Sequence, residues 1–476
     1  MPDSKSAPSD TITRRKRTDS FSVLSPNGHL GFAPIKTGSF YNGVHAKPDA
    51  IACDSGSCDI GPVPLACDIS SSPYEWQYHD IEHILLAARK LGIPAIIGSA
   101  GDTGTNSQVD KFVAIVHEIA EKHGLAPFRL GYFYSEVTTD FVRTHLAHGG
   151  VIEGLDGRPN LTLADVDATD RIVAVAGVHP YVELLRQGCD VIIGGRSSDS
   201  ALFAAPALVR GYSEDLAYFF GKVLECSSFC AEPYAGKETV LGEISHEDIL
   251  VYPMLEAQRC TISSVAGHAM YERSNPFEEY YAGGRLEMRD CKYEQYDERT
   301  VRVTGSRFIP ADDLRVKLEG AGKVGERFVG LVAIRDPYTI SRIDEVIAWS
   351  RNHVTEAFGK TGYEVYYSVF GKNGLMGEWE PVRTNPHEIC ITVQGVAPTA
   401  VMAESVCMTA MRQLFYARLP DVKGTAGGVA FPFDEVWQTK PACRWTMNHT
   451  IGVKDPMELF TLHTSTVGQE IEEIAQ

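Results

Sequence analysis

The chain has 476 residues, a net charge of −18 and a hydrophobic fraction of 44%. One hydrophobic core rarely organises so long a chain, so we expect two domains. The acidic balance disfavours nucleic acid and anionic membrane surfaces as partners. No apolar run is long enough for a transmembrane helix, and the N-terminus lacks the apolar core of a secretory signal. We therefore expect a cytoplasmic protein with no membrane partner.

Residues 1–25 are rich in Ser, Pro and Thr and carry the basic run Arg14 to Arg17. This composition predicts a disordered, solvated tail. A nuclear signal or an anion contact is the alternative interpretation of the basic run.

The eleven cysteines are odd in number and scattered, which predicts reduced thiols rather than a disulfide framework. Cys53/Cys58 and Cys226/Cys230 are the close pairs. A zinc site normally needs closer spacing or a His partner, so small buried thiols are the favoured interpretation.

Residues 26–240 alternate short apolar runs with helical patterns, which predicts a Rossmann-like, mostly parallel sheet. The predicted strands are 50–53, 95–99, 129–134, 171–178 and 191–193. Polar loops follow four of them, at Asp54–Asp59, Gly98–Asn106, His179 and Arg196–Ser200. Loops after parallel strands meet at one sheet edge, so we expect these to converge on a site.

The Gly98–Asn106 loop opens a helix and can hold an anion, with Gly101, Thr103 and Gly104 as candidate binding residues. It is neither a Walker loop nor a G-x-G-x-x-G fingerprint.

The segment Cys189 to Gly211 reads CDVIIGGRSSDSALFAAPALVRG. Arg196 can bind a carboxylate or phosphate through two parallel hydrogen bonds, assisted by Ser197 and Ser200. Asp199 is a candidate acid–base residue. Ordinary helix capping by the Ser/Asp run is the alternative.

His268 and Glu272 are four residues apart in a predicted helix over 261–275. A carboxylate beside a histidine raises its pKa towards a catalytically useful value. This pair is either an acid–base couple or a surface ion pair.

Residues 241–325 are predicted as a connecting β-rich segment, and residues 326–476 as a ferredoxin-like α+β domain. That domain is predicted from the order of strands at 328–334, 363–370, 388–393 and 445–448 and helices at 340–357 and 400–416.

Several segments together resemble one family: GCDVIIGGRSSDSALFAAPALVRG, LEC, SVAGHAMYERSNPF, DERTVRVTGSRF, YYSVFGKNGLMGEWEP and GTAGGVAFPF. They are similar in sequence and order to the acyclic terpene utilisation (AtuA-like) family over about residues 45–460. The resemblance implies intracellular work on small branched acids or their CoA thioesters. It draws attention, without assigning roles, to Arg196, Asp199, Ser200, His268, Glu272, Arg335, Asp336, Lys372, Asn373 and the Gly424–Gly428 loop.

The first hypothesis is a lyase (hydro-lyase) or isomerase. Arg196, with Arg335 and Asn373, would bind an acyl carboxylate or thioester. Asp199, His268, Glu272 and Lys372 would move a proton next to its carbonyl. Such chemistry needs no cofactor, and we expect a homo-oligomer.

Three alternatives stay open. The chain could be a non-catalytic binding or assembly subunit. It could be a hydrolase with a nucleophile at Ser197, Ser198, Ser200 or Cys226, although none of these serines stands in a G-x-S-x-G elbow. Asp54, Asp59, Asp102 and Asp199 could hold Mg²⁺ if their loops meet, or simply cap helices.

Overall fold

The computed structural model describes residues 16–56, 59–422 and 428–468. It divides into two compact units. The first extends to Ala321 and resumes at Trp445, and the second is Gly322–Arg444. Arg14, Arg15, Cys58 and residues 424–427 of the Gly424–Gly428 loop lie outside the described residues. Within the described ranges, no helix is both long and apolar enough to cross a membrane.

The α-helices are α1 (Thr37–His45), α2 (Val63–Cys67), α3 (Tyr74–Leu91), α4 (Asn106–His123), α5 (Thr139–Ala147), α6 (Leu163–Asp167), α7 (His179–Arg186), α8 (Ala201–Val209), α9 (Glu214–Leu224), α10 (Ile262–Met270), α11 (Pro337–Ser341), α12 (Ile343–Phe358) and α13 (Ala400–Tyr416).

The strands are β1 (Phe21–Ser25), β2 (Ala50–Gly56), β3 (Ala95–Asp102), β4 (Phe128–Tyr134), β5 (Glu136–Val137), β6 (Ile152–Gly154), β7 (Arg171–Val175), β8 (Val191–Ile193), β9 (Ala231–Glu232), β10 (Val240–Ile244), β11 (Ile249–Pro253), β12 (Arg259–Cys260), β13 (Glu278–Tyr281), β14 (Gly284–Glu287), β15 (Lys292–Gln295), β16 (Val301–Thr304), β17 (Arg307–Pro310), β18 (Arg315–Ile334), β19 (Glu364–Phe370), β20 (Ile389–Ala397), β21 (Val429–Ala430), β22 (Trp437–Gln438), β23 (Ala442–Gly452) and β24 (Thr461–Val467).

A ten-stranded sheet forms the centre of the first unit, in the order β15-β16-β11-β10-β1-β2-β3-β8-β4-β24. The five strands β1, β2, β3, β8 and β4 are parallel, and the flanking strands pair antiparallel. The predicted mixed α/β fold with a large, mostly parallel central sheet is therefore confirmed.

Both faces of the parallel sheet are buried. On β8, Ile192 packs into one hydrophobic core with α8 and α9, whereas Val191 and Ile193 pack into the other with α3 and α4. A strand covered on both sides needs apolar residues at every position, which is why Val191, Ile192 and Ile193 form a continuous apolar run.

The predicted tail is too long. Residues 21–25 form β1, between β2 and β10, and are fully packed. Phe21, Val23 and Leu24 supply apolar contacts that a disordered segment would leave exposed. Arg17, from the predicted basic run, is also tied down, by ion pairs to Glu243 and Asp248.

β7 does not belong to the parallel sheet, contrary to the prediction. It pairs antiparallel with the first residues of β18, with Val175 opposite Lys317. A short apolar run shows that a strand is buried but not which strand it pairs with.

Helix α10 ends at Met270, so the predicted helix over 261–275 is too long. Tyr271 is already extended, and Glu272 has a φ of 61°. His268 and Glu272 therefore do not share a helix face.

The second unit contains residues 322–334 of β18, followed by α11, α12, β19, β20 and α13. β20 pairs antiparallel with both β18 and β19, and residues of α12 and α13 complete its core. The more specific ferredoxin-like arrangement stays a prediction. The segment from Trp445 onward belongs to the first unit.

Candidate functional site

Two of the four predicted strand-end loops, Gly98–Asn106 and Arg196–Ser200, meet around Arg196. Its backbone N–H donates a hydrogen bond to Ser135 Oγ, after β4, at 2.7 Å. The next N–H, from Ser197, donates to Ser99 Oγ in β3 at 3.2 Å. Gly104 lies against the same backbone, with room for no side chain. The carboxyl ends of β3, β4 and β8 are thus joined at one place.

The guanidinium of Arg196 already has carboxylate partners. Its Nε donates to Glu319 Oε2 at 2.9 Å, and its NH1 donates to Asp199 Oδ1 at 3.2 Å. Arg196 and Glu319 are both buried. The guanidinium therefore positions Asp199, which differs from the open anion anchor predicted from the sequence.

Glu319 remains ionised in this setting. Burial alone would raise its pKa, but the charges of Arg196 and Lys317 outweigh burial and lower the pKa to about 2. Behind this pair, burial raises the pKa of Asp54 well above its ordinary value, and nearby Asp199 adds to the rise. Arg196 thus interacts with Glu319, whose pKa is lowered, and with Asp54, whose pKa is raised.

A second charged cluster contains Lys222, Glu225, Arg273 and Glu279. Lys222 is almost fully buried and makes a short hydrogen bond to Glu225. Arg273 lies 2.6 Å from Glu279 and 3.9 Å from Glu225. Two cations are therefore shared between two carboxyl groups.

Glu225 is the member of this cluster that titrates near neutral pH. Burial raises its pKa to about 8, although Lys222 opposes the rise and Glu279 adds to it. Burial would lower the pKa of Lys222, but Glu225 and Glu279 outweigh burial and raise it. Lys222 thus stays charged while Glu225 can gain or lose a proton.

Both clusters line one cavity of about 720 Å³ in the first unit. The acidic groups Asp199, Glu225, Glu279 and Glu319 face it, and Leu155, Val175, Ile309 and Pro310 supply apolar wall. A volume of this size suits a small organic ligand. The cavity therefore combines titratable side chains with apolar surface.

The predicted site residues are distributed unevenly around this cavity. Asp199 and Glu272 line it, but Ser197 and Ser200 do not. Ser197 Oγ bonds Tyr181 Oη at 2.7 Å, and Ser200 Oγ donates to Tyr281 Oη at 3.0 Å. Ser200 thus contacts the cavity wall through Tyr281, whereas Ser197 contacts Tyr181 in the hydrophobic core.

The loop residues Gly101, Thr103 and Gly104 are not part of the large cavity. Thr103 and Arg196 border a separate, much smaller void. Arg335, Lys372 and Asn373 belong to the second unit, where Lys372 Nζ donates to the backbone oxygen of Ile340.

His268 is buried beside the Tyr271 ring and does not line the cavity. Burial, followed by the charge of Lys222, lowers its pKa to about 3. The prediction that a carboxylate raises this pKa is wrong, because loss of hydration dominates at a buried imidazole.

Cys226 is a poor candidate nucleophile. Burial raises the pKa of its thiol to about 12, and Glu225 and Asp199 add to the rise. The reactive form of cysteine is the thiolate, which this environment suppresses.

The sequence interpretation missed six site residues: Lys222, Glu225, Arg273, Glu279, Lys317 and Glu319. Lys222 and Glu225 are three apart, at a spacing typical of a surface ion pair. Their burial became visible only with the neighbouring strands in place. No sequence pattern distinguishes a buried ion pair from a solvated one.

The candidate metal ligands do not form a cluster. Asp102 accepts hydrogen bonds from Ser70 and Ser71. Across residues 16–56, 59–422 and 428–468, no three His, Cys, Asp or Glu side chains are arranged to hold a metal ion. All ten cysteines in these ranges are free.

The fold and cavity define an α/β protein with a charged ligand cavity at the carboxyl edge of a parallel sheet. A family model described as acyclic terpene utilisation family protein AtuA matches residues 70–443. The chain belongs to this family, which confirms the resemblance, and the family's name suggests a protein of terpene catabolism. No curated protein and no solved structure matches the chain.

Proposed function

We propose that the chain is an enzyme that hydrates, dehydrates or isomerises a small branched carboxylic acid or its CoA thioester. The observation that carries the proposal is the cavity in which Asp199 and the protonatable Glu225 both face an apolar wall. Acid–base chemistry next to a carbonyl needs two such groups on either side of the reacting carbons.

In this mechanism Asp199 accepts a proton, or removes one from water, while held by Arg196. Glu225 supplies a proton when its carboxyl group is neutral, and Lys222 and Arg273 stabilise the carboxylate that remains. Glu272, on the cavity wall, is a further candidate for proton transfer. His268 acts as a neutral group that packs behind Tyr271.

The test compares D199N and E225Q with the wild type on branched unsaturated acids and their CoA esters. Loss of one acid–base group should reduce turnover by about 10²- to 10⁴-fold. Proton exchange in D₂O by NMR and water addition by mass spectrometry report the reaction. D290N and E294Q, exposed acids outside the cavity, are matched controls.

The proposal fails if the wild type exchanges no protons and converts none of these compounds. It also fails if D199N and E225Q, folded by circular dichroism, both keep the wild-type rate.

A binding or assembly subunit is the second candidate, favoured by an exposed apolar segment in the second unit. Leu375 and Trp379 are 88% and 86% exposed, and Val382 is 62% exposed. Apolar side chains clustered on a surface mark interaction sites. If this segment joins copies of the chain, light scattering should show an oligomer that L375S/W379S dissociates. A wild type that is monomeric at high concentration would contradict a homo-oligomer.

A further inference from the structure

A row of three side chains stands on the three-stranded sheet β13-β14-β17. Arg285 is directly opposite Tyr280 on one neighbouring strand and Ile309 on the other. Directly opposed residues of an antiparallel sheet point to the same face. All three line the cavity. The row therefore presents a guanidinium between an aromatic ring and an aliphatic side chain.

Arg285 differs from the other cations of the cavity wall. Its Nε is buried and has no hydrogen-bond partner among the described residues. Its nearest carboxylate, on Glu278, lies 3.9 Å from NH1. The remaining wall cations have an acidic partner at 2.9 Å or closer: Arg196, Lys222, Arg273, Arg315 and Lys317.

An arginine that lines a cavity with unused donors is suited to a single carboxylate, which it can bind through two parallel hydrogen bonds. Tyr280 and Ile309 would then cover the carbon chain next to that carboxylate. A buried hydrogen-bond donor without a partner raises the free energy of the folded protein. A ligand that accepts a hydrogen bond from it would remove that cost.

The charge of the wall argues against a CoA thioester. Its residues include eight acids and six bases, and five of the bases are already paired. Arg315, at the wall, is neutralised by Glu153 and Asp313. The phosphates of CoA would bring several negative charges to a wall with one uncommitted cation.

We propose that Arg285 binds the carboxylate of the substrate, and that the cavity takes the free branched acid in preference to its CoA thioester. This inference rests on the proposed function, because it names the substrate class of the same cavity.

The test is isothermal titration of the full chain with 5-methylhex-4-enoic acid, its primary amide and its CoA thioester. The wild type should bind the acid most tightly. R285A should weaken acid binding about 10- to 100-fold, as expected for a hydrogen-bonded charge, and leave amide binding unchanged. R285K should restore part of the affinity. R307A removes an exposed arginine that lies outside the cavity wall and pairs with Asp290, and it should bind like the wild type.

Tighter binding of the thioester than of the acid would overturn the inference, as would R285A binding the acid like the wild type. Turnover measured alongside separates the two proposals. If the wild type converts the thioester and D199N does not, the proposed catalysis is supported and the preference for the free acid is contradicted. Arg285-dependent binding of the acid without conversion of any probe would support the recognition site and contradict the proposed catalysis.

Discussion

Replacing Glu319 with Gln should destabilise the first unit because it breaks the buried pair with Arg196. The pKa of Glu319 is about 2 in the folded protein, against an ordinary value of 4.5. A tenfold change in a protonation constant is worth about 1.4 kcal/mol, so this difference corresponds to about 3 kcal/mol at pH 7. Removing one partner of a buried ion pair typically costs about 3–5 kcal/mol, in agreement.

The loss of stability in E319Q should depend on pH in a defined direction. Because the folded pKa is lowered, the carboxylate stabilises the protein fully above about pH 4.5 and loses that effect as the pH falls through about 2. Gln resembles the protonated acid. The deficit of E319Q should therefore shrink from about 3 kcal/mol at pH 7 to about 1 kcal/mol at pH 3.

Equilibrium urea unfolding of the full chain at both pH values measures this deficit. E294Q serves as the control, since Glu294 is 62% exposed and its contact to Arg302 is 3.7 Å. Such a surface pair should contribute less than about 1 kcal/mol. A deficit of E319Q that equals that of the control, or that is the same at pH 3 as at pH 7, would refute the reasoning.

The remaining predictions concern Glu225, Cys226 and Gly104. If Glu225 is the proton donor, kcat/KM falls as the pH rises through about 8, and a flat rate profile from pH 6 to 9 contradicts this role. Iodoacetamide at pH 8 should label Cys226 in urea but not in the native protein, because its pKa is about 12, as peptide mass spectrometry can show. G104A should lower stability in urea by at least about 2 kcal/mol, because φ is +61° and an added Cβ would lie 2.0 Å from the Arg196 nitrogen. G124A has a similar φ and open space, so its cost should be only about 1 kcal/mol, and equal losses would rule out the clash.

Local patterns predicted much of the parallel sheet. Helix α3 ends at Leu91, and Gly92 follows it in a left-handed conformation, which is the usual helix-stop signal. β2, β4 and β8 lie where apolar runs predict them, and β3 continues past the predicted end to Asp102. These segments succeed because helix caps and continuous apolar runs report local geometry and burial directly.

Other elements depend on distant partners. β1 is a strand of only five residues that follows a polar segment. Its apolar side chains are buried only because β2 and β10 lie on either side of it. β7 is a buried apolar strand whose antiparallel partner, β18, lies more than a hundred residues away. Neither relation has a local signal.

The sequence by itself determined the family, the α/β class and the meeting of the Gly98–Asn106 and Arg196–Ser200 loops. Only the tertiary structure decided what Arg196 does, because Glu319 lies 123 residues further along the chain. It also placed Lys222 and Glu225 in a buried cluster and set Arg285 in a row with Tyr280 and Ile309. Protonation and ion pairing depend on hydration and on charges that folding brings together. The spacing of residues along the chain predicts neither the hydration of a side chain nor its charged neighbours.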